Sequence, residues 1–169
     1  EIRHEVVEDL GALEDVPPAP THWVARPELI RRAAALLQSE RRLALIGMAG
    51  AGKTMLAAEL ARTLPKLPVF WTTLTTGVSD TAPAIIRALA LFYLTQGQTQ
   101  VRPILEHDGA SPPLPLDQQL NLLRSAVTAA PAVLCLDDVH LALADPAGRA
   151  LFEGLAATTM ATLVLTSRE

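Results

Sequence analysis

The residues with the plainest chemical purpose are Gly47-Met48-Ala49-Gly50-Ala51-Gly52-Lys53-Thr54, which follow the pattern glycine, four residues, glycine, lysine, threonine. Glycines let successive backbone amides converge without side-chain clash, and converging N–H groups form a concavity for anionic oxygens. A helix starting at the lysine adds the free donors and the dipole of its first turn. Gly47, Gly50, Ala51, Gly52, Lys53, Thr54 and Met55 are therefore candidate contacts to the phosphates of a nucleoside triphosphate. Lys53 suits the β- and γ-phosphates, and the Thr54 hydroxyl suits Mg2+.

A site of this kind needs an acid at the end of a buried strand, and Val133-Leu134-Cys135-Leu136-Asp137-Asp138 supplies two. Asp137 is the candidate partner of Thr54 for the metal, directly or through water. Asp138 is a candidate catalytic group, as general base or as the group that positions the attacking water. An ordinary strand-end turn accounts for the same two carboxylates without chemistry. Leu163-Val164-Leu165-Thr166-Ser167-Arg168 repeats the pattern of an apolar run ending in polar groups. Arg168 is the candidate to neutralise a γ-phosphate, and Thr166 or Ser167 to bond the phosphate or the water; an exposed loop arginine is the plainer alternative. His140 has no second ligand at metal spacing and reads as a surface or packing histidine; His4, His22 and His107 are scattered.

These residues need strands and helices in alternation to bring them together. Proline at the first turn and the stripe Leu29, Ile30, Ala33, Leu36, Leu37 predict a helix over residues 27–41. A strand over 43–47 leads into the phosphate loop, and a helix over 53–64 leads out of it, stopped by Pro65. Strands follow at 68–73, 132–137 and 161–166, with helices at 82–96, 117–129 and 145–157 between them. Asp80 or Thr81, Asp117 and Asp145 are the candidate caps. Residues 97–115 show no period and read as a surface loop. The strands are continuously apolar, as a parallel sheet covered on both faces requires.

Composition bounds the rest. The chain has 169 residues, half of them apolar, and a net charge of -4. This is enough for one domain with a real core. The acidic balance argues against direct nucleic-acid binding, since Arg26, Arg31, Arg32, Arg41 and Arg42 are spread along one helix among acids and read as a solvated face. The lone Cys135 sits in an apolar run and reads as a small buried hydrophobe in a reducing compartment. No apolar run is long enough to span a membrane and no leader pattern opens the chain, so the reading is cytoplasmic with no membrane partner. Residues 1–22, with Pro17, Pro18 and Pro20, read as an extended arm or linker, and 23–169 as the nucleotide-binding domain. Both ends read as cut from a longer protein.

Taken in order, these motifs resemble those of the signal-transducing P-loop NTPases with numerous domains, the class of the NB-ARC proteins and the large maltose-type bacterial regulators. The phosphate loop with Met55-Leu56-Ala57 is similar to the NB-ARC form, as are Leu134-Cys135-Leu136-Asp137-Asp138-Val139 and the strand ending at Arg168. Trp23-Val24-Ala25-Arg26-Pro27-Glu28-Leu29 resembles the box that folds against adenine in that class, with Ala25 where glycine is usual. The resemblance implies an α/β P-loop NTPase three-layer sandwich with parallel strand order 2-3-1-4 and the usual fifth strand missing. Residues 163–166 would then form an exposed edge. It implies ATP/ADP and Mg2+ as cofactors, with Val24 and Arg26 near the base. It further implies a slow ATPase used as a switch, lid and winged-helix domains of the same chain as partners, and an ATP-dependent oligomer. A nucleotide-binding interaction domain without significant hydrolysis is a second reading. A small-molecule kinase is a third, although residues 97–115 carry only Arg102 where such an enzyme needs a basic lid.

Overall fold

The computed structural model describes residues 16–64, 67–106, 114–158 and 160–168. Four strands form one parallel sheet: β1 (Arg42–Ile46), β2 (Val69–Thr73), β3 (Val133–Asp137) and β4 (Thr162–Ser167). Helices α1 (Pro27–Glu40) and α2 (Lys53–Thr63) cover one face. Helices α3 (Ala82–Thr95), α5 (Leu116–Ala129) and α7 (Pro146–Ala157) cover the other, joined by the short helices α4 (Arg102–Leu105) and α6 (His140–Leu143).

The period-2 alternation of the strands explains the two cores. Phe70, Leu134, Leu136 and Leu163 point to the α3–α5–α7 side, while Trp71, Val133, Cys135 and Val164 point to the α1–α2 side. The expected fold class, a parallel α/β sheet between helical layers, is the one found.

The strand order needs correction. The sheet runs β1-β4-β3-β2, so that β4 lies between β1 and β3 rather than at the rim, and order 2-3-1-4 becomes 2-3-4-1. Strand pairing shows it. β4 pairs in parallel with β1 along one side and with β3 along the other, and its residues are largely buried, whereas β1 alternates between exposed and half-buried. Residues 163–166 are therefore interior, and β1 is the rim strand on that side. Its residues Arg42, Ala44 and Ile46 face solvent beyond the reach of the α3–α5–α7 layer. The interior place of β4 also sets its tip between the phosphate loop and the paired aspartates.

Local signals account for most element ends. Thr81 caps α3 by accepting the Ala84 N–H, and Asp145 caps α7 by accepting that of Gly148. Asp117 is not a cap: α5 begins one residue earlier, at Leu116, and leaves Asp117 in the first turn, where its charge meets the helix dipole. The stretch read as a loop at 97–115 contains a 3-10 turn (Thr99–Val101) and α4, anchored by fully buried Val101; residues 107–113 lie outside the described residues.

The N-terminal segment packs along α2. Residues 1–15 of the expected arm lie outside the described residues, but from Val16 onward the chain runs beside the helix. Val16 is buried in the α1–α2 core, and the Pro17 carbonyl accepts from Arg62 in the last turn of α2. Trp23 then donates its indole N–H to Glu59 at 3.0 Å, and Arg26 reaches the Ala51 carbonyl at 3.3 Å. The segment thus runs antiparallel to α2, from its last turn to the phosphate loop.

Two glycines of α7 test this packing in opposite directions. A Cβ at Gly148 would lie 2.0 Å from the Ala142 carbonyl oxygen, whereas one at Gly154 would meet Leu120 at 3.8 Å, an ordinary contact. Gly148→Ala is expected to destabilise the fold by about 1–3 kcal/mol through overpacking. Gly154→Ala should stabilise it by about 0.5–1 kcal/mol by removing helix-interior glycine. Urea unfolding of the two variants checks both signs.

Candidate functional site

The loop between β1 and α2 needs backbone conformations that side chains disfavour. Gly50 and Gly52 have φ of 79° and 82°. Gly52 is also crowded, since a Cβ there would come 3.3 Å from the Trp23 ring, which covers the back of the loop. Lys53 Nζ donates to the Gly47 and Met48 carbonyls at 2.7 and 2.9 Å, which draws the lysine across the loop.

Beneath the loop lies Asp137, the last residue of β3 and only 2% exposed. Its carboxylate collects hydroxyl groups from three elements. Thr54 Oγ1, in the first turn of α2, lies 2.9 and 3.0 Å from the two carboxylate oxygens. Thr166, on β4, donates to Oδ1. Thr73, at the end of β2, lies 3.4 Å from Oδ2 and accepts the Trp71 indole N–H at 3.3 Å. A buried carboxylate needs such donors, because removing the charge from water is otherwise costly.

Asp138 turns the chain away from the sheet. It has φ of 60°, a left-handed conformation that aspartate tolerates better than most residues. Its N–H donates to Thr166 Oγ1 at 2.9 Å. The Thr166 hydroxyl is therefore committed to Asp137 and Asp138. This corrects the expectation that it bonds a phosphate or a water. Asp138 Oδ1 lies 3.8 Å from Arg168 Nε and 3.8 Å from His140 Nδ1.

These groups border a cleft of about 230 Å3. Ala49, Gly50, Gly52, Lys53, Thr54 and Met55 form one wall, and Asp138 and Arg168 the other. Residues from three separate stretches of sequence, 49–55, Asp138 and Arg168, thus meet at one cleft. The remaining site candidates sit around this cleft. Gly47 contributes a carbonyl to Lys53 and Ala51 a carbonyl to Arg26. Asp137 lies below Thr54. Val24 is 76% exposed and not brought to the cleft wall.

The residues present fit a triphosphate with a divalent cation. Hydroxyl and carboxylate oxygens side by side at Thr54 and Asp137 are the hard donor set that Mg2+ prefers, with its other positions left to phosphate and water. Among the described residues no group of three or more His, Cys, Asp or Glu forms a separate metal cluster.

Sequence reasoning missed three contributors. Thr73 and Glu59 act through contacts between distant segments, and no local pattern marks them. His140 was read as a surface or packing residue, yet it is half-buried beside Asp138, and its Nδ1 faces the Arg168 backbone N–H at 3.5 Å. A histidine three residues after Asp137 was the available signal, but it pointed to no partner.

Comparison with known proteins adds three findings. A family model described as an AAA ATPase domain matches residues 22–165. No curated protein sequence matches the chain. Among solved structures, the Aeropyrum pernix Orc1 protein, in complex with DNA, is similar with a TM-score of 0.57 and 18% identity; the match covers 93% of this chain and 42% of that one. At that identity the likeness is one of fold. It also corrects the exclusion of nucleic acid: the same fold occurs in a protein solved on DNA, so an acidic net charge is no ground for ruling DNA out. Among the described residues no helix is long and apolar enough to cross a membrane.

Two experiments probe the floor of the site. Burial, assisted by the charge of Asp137, pushes the Cys135 thiol from 9.0 up to about 12. The native state holds the thiol protonated, so its contribution to stability is full below pH 9.0 and is lost as pH rises toward 12. A thiol-specific reagent at neutral pH is expected to label Cys135 only after denaturation. Thr166→Val removes a donor from one buried group and an acceptor from another, and is expected to cost about 1–3 kcal/mol in a denaturant titration.

Proposed function

The chain belongs to the AAA ATPase domain family, and on that footing we propose that it binds ATP and ADP with Mg2+ in the cleft beside residues 47–54 and hydrolyses ATP slowly. The observation that carries the reading is the contact of Thr54 with Asp137, 83 residues apart in sequence, at 2.9 Å. It brings the two halves of a phosphate and metal site together at the end of a parallel sheet, the place where such folds bind ligands.

Each group has a role that its position supports. Lys53 exchanges the Gly47 and Met48 carbonyls for phosphate oxygens. Thr54 and Asp137 offer oxygens to Mg2+, which when bound neutralises charge on the phosphates. Asp138, at the cleft wall, accepts a proton from water or holds the water in place. Arg168 exchanges Asp138 for the γ-phosphate. Arg26 fixes the loop through Ala51, and Val24 remains free to meet the base.

We further propose that the domain serves a multidomain signalling switch, as the motif order in residues 23–168 suggests. ADP and ATP favour different states of such a switch through different contacts. Lid and winged-helix domains of the same protein, ATP-dependent assembly and a cytoplasmic location belong to this reading.

The likeness to Orc1 favours a second reading of the wider role, an ATPase domain working in a protein held on DNA. The exposed arginines at positions 31, 32, 41 and 42 are the groups available for phosphate contact. Fluorescence anisotropy with duplex DNA decides this: no rise at low salt would remove the reading.

Calorimetric titration with ATP, ADP and GTP, with and without Mg2+, tests the primary proposal. ATP and ADP are expected to bind more tightly than GTP, and Mg2+ to strengthen ATP binding. Lys53→Ala should weaken ATP binding about ten- to a hundredfold, the worth of a charge-assisted hydrogen bond. Unchanged affinity in that variant would sink the assignment.

A further inference from the structure

Trp23 bridges the phosphate loop and the side of the helix that follows it. At one end of the indole, Nε1 donates to Glu59 Oε2 on α2 at 3.0 Å. At the other end, Cζ3 and Cη2 of the six-membered ring lie 3.3 and 3.5 Å from where a Cβ of Gly52 would stand. An indole nitrogen is a donor only, so a carboxylate beside it makes a directed, charge-assisted bond that fixes the ring. Trp23 and Glu59 are both half-buried. The chain that leads to Trp23 is held as well. Val16 is buried in the α1–α2 core, and Pro17, Pro18 and Pro20 restrict the backbone after it. The Trp23 N–H then closes a turn onto the Pro20 carbonyl at 2.9 Å. The indole is therefore anchored from both sides while it presses on the loop.

We propose that Glu59 and Trp23 are positioning residues for phosphate binding, which together hold the Ala51–Gly52 peptide with its N–H turned into the cleft. The proposal rests on the nucleotide-site reading above and adds the device that shapes that site from behind. The carbonyl and N–H of a trans peptide point in opposite directions. The Ala51 carbonyl faces the N-terminal segment, where Arg26 Nη1 donates to it at 3.3 Å. The Gly52 N–H of the same peptide is turned the other way, toward the cleft that Gly52 lines. It bonds to no backbone carbonyl among the described residues, which leaves it open to an anionic oxygen. Gly52 has φ of 82° and no side chain to resist rotation of this peptide, so the indole edge behind it supplies the restraint. Glu59 acts only through Trp23, and Trp23 serves the phosphates rather than the base.

The test sets tripolyphosphate beside ATP, because it has the phosphates and lacks the base. Glu59→Ala is expected to weaken both ligands in calorimetry by the same factor of about three to ten, the range of one lost hydrogen bond. Trp23→Phe, which keeps an aromatic ring and loses the N–H, should match it. Glu59→Gln keeps an acceptor and should recover most of the affinity. Unchanged affinity in Glu59→Ala, no recovery in Glu59→Gln, or a loss confined to ATP, which would put the indole at the base, overturns the proposal. Failure of wild type to bind either ligand would instead overturn the nucleotide-site reading. A second arm decides the local claim whatever the wild type binds. The Ala51 amide bonds to the Met48 carbonyl and the Leu56 amide to the Gly52 carbonyl, one on each side of the peptide in question. In the ligand-free protein, Glu59→Ala must speed hydrogen exchange at these two amides and leave α7 unchanged. Equal exchange in the two proteins, or faster exchange in α7 to the same degree, ends the idea.

Discussion

The site depends on one carboxylate held under the phosphate loop. Asp137 is nearly inaccessible, and it is satisfied by hydroxyls from α2, β2 and β4. A buried charge is costly when unpaired, so any shift of those elements away from Asp137 leaves a group that water cannot rescue. The arrangement therefore fixes the spacing between the helix that starts at the phosphate loop and the strand ends opposite it. It also holds the Thr54 hydroxyl and the Asp137 carboxylate side by side, the pair that the proposed cation would meet.

Much of this was legible in the sequence, for a physical reason that differs from element to element. The phosphate loop was plain because its backbone conformations demand glycine at Gly50 and Gly52 and its chemistry demands Lys53 and Thr54. Most strands and helices were plain because apolar period and proline placement are local. The strand order was not, because it turns on which strands pair across the sheet. That property depends on all the neighbours at once, and the resemblance placed β4 at the rim. The roles of Thr73, Thr166 and His140 were hidden for a related reason. A threonine at a strand end looks the same whether its hydroxyl meets solvent or a carboxylate 64 residues away, as Thr73 does with Asp137.

Two lines of comparison sharpen different things. The AAA ATPase domain match over residues 22–165 establishes the family and agrees with the chemistry of the cleft. The likeness to a DNA-bound Orc1 protein widens the range of settings in which the fold works. Phosphate loop, paired acids and a polar strand tip are shared by switches that answer many signals, and they describe a nucleotide site better than they describe what the site controls.

The placement of the aromatic residues has a practical side. The chain contains two tryptophans. Trp23 lies against Gly52 on the back of the phosphate loop, and Trp71 bonds to Thr73, which touches Asp137. Both indoles therefore sit within one or two contacts of the candidate phosphate and metal ligands. The intrinsic emission of this protein comes almost wholly from the neighbourhood of its candidate nucleotide cleft, an optical report on the site that needs no added dye.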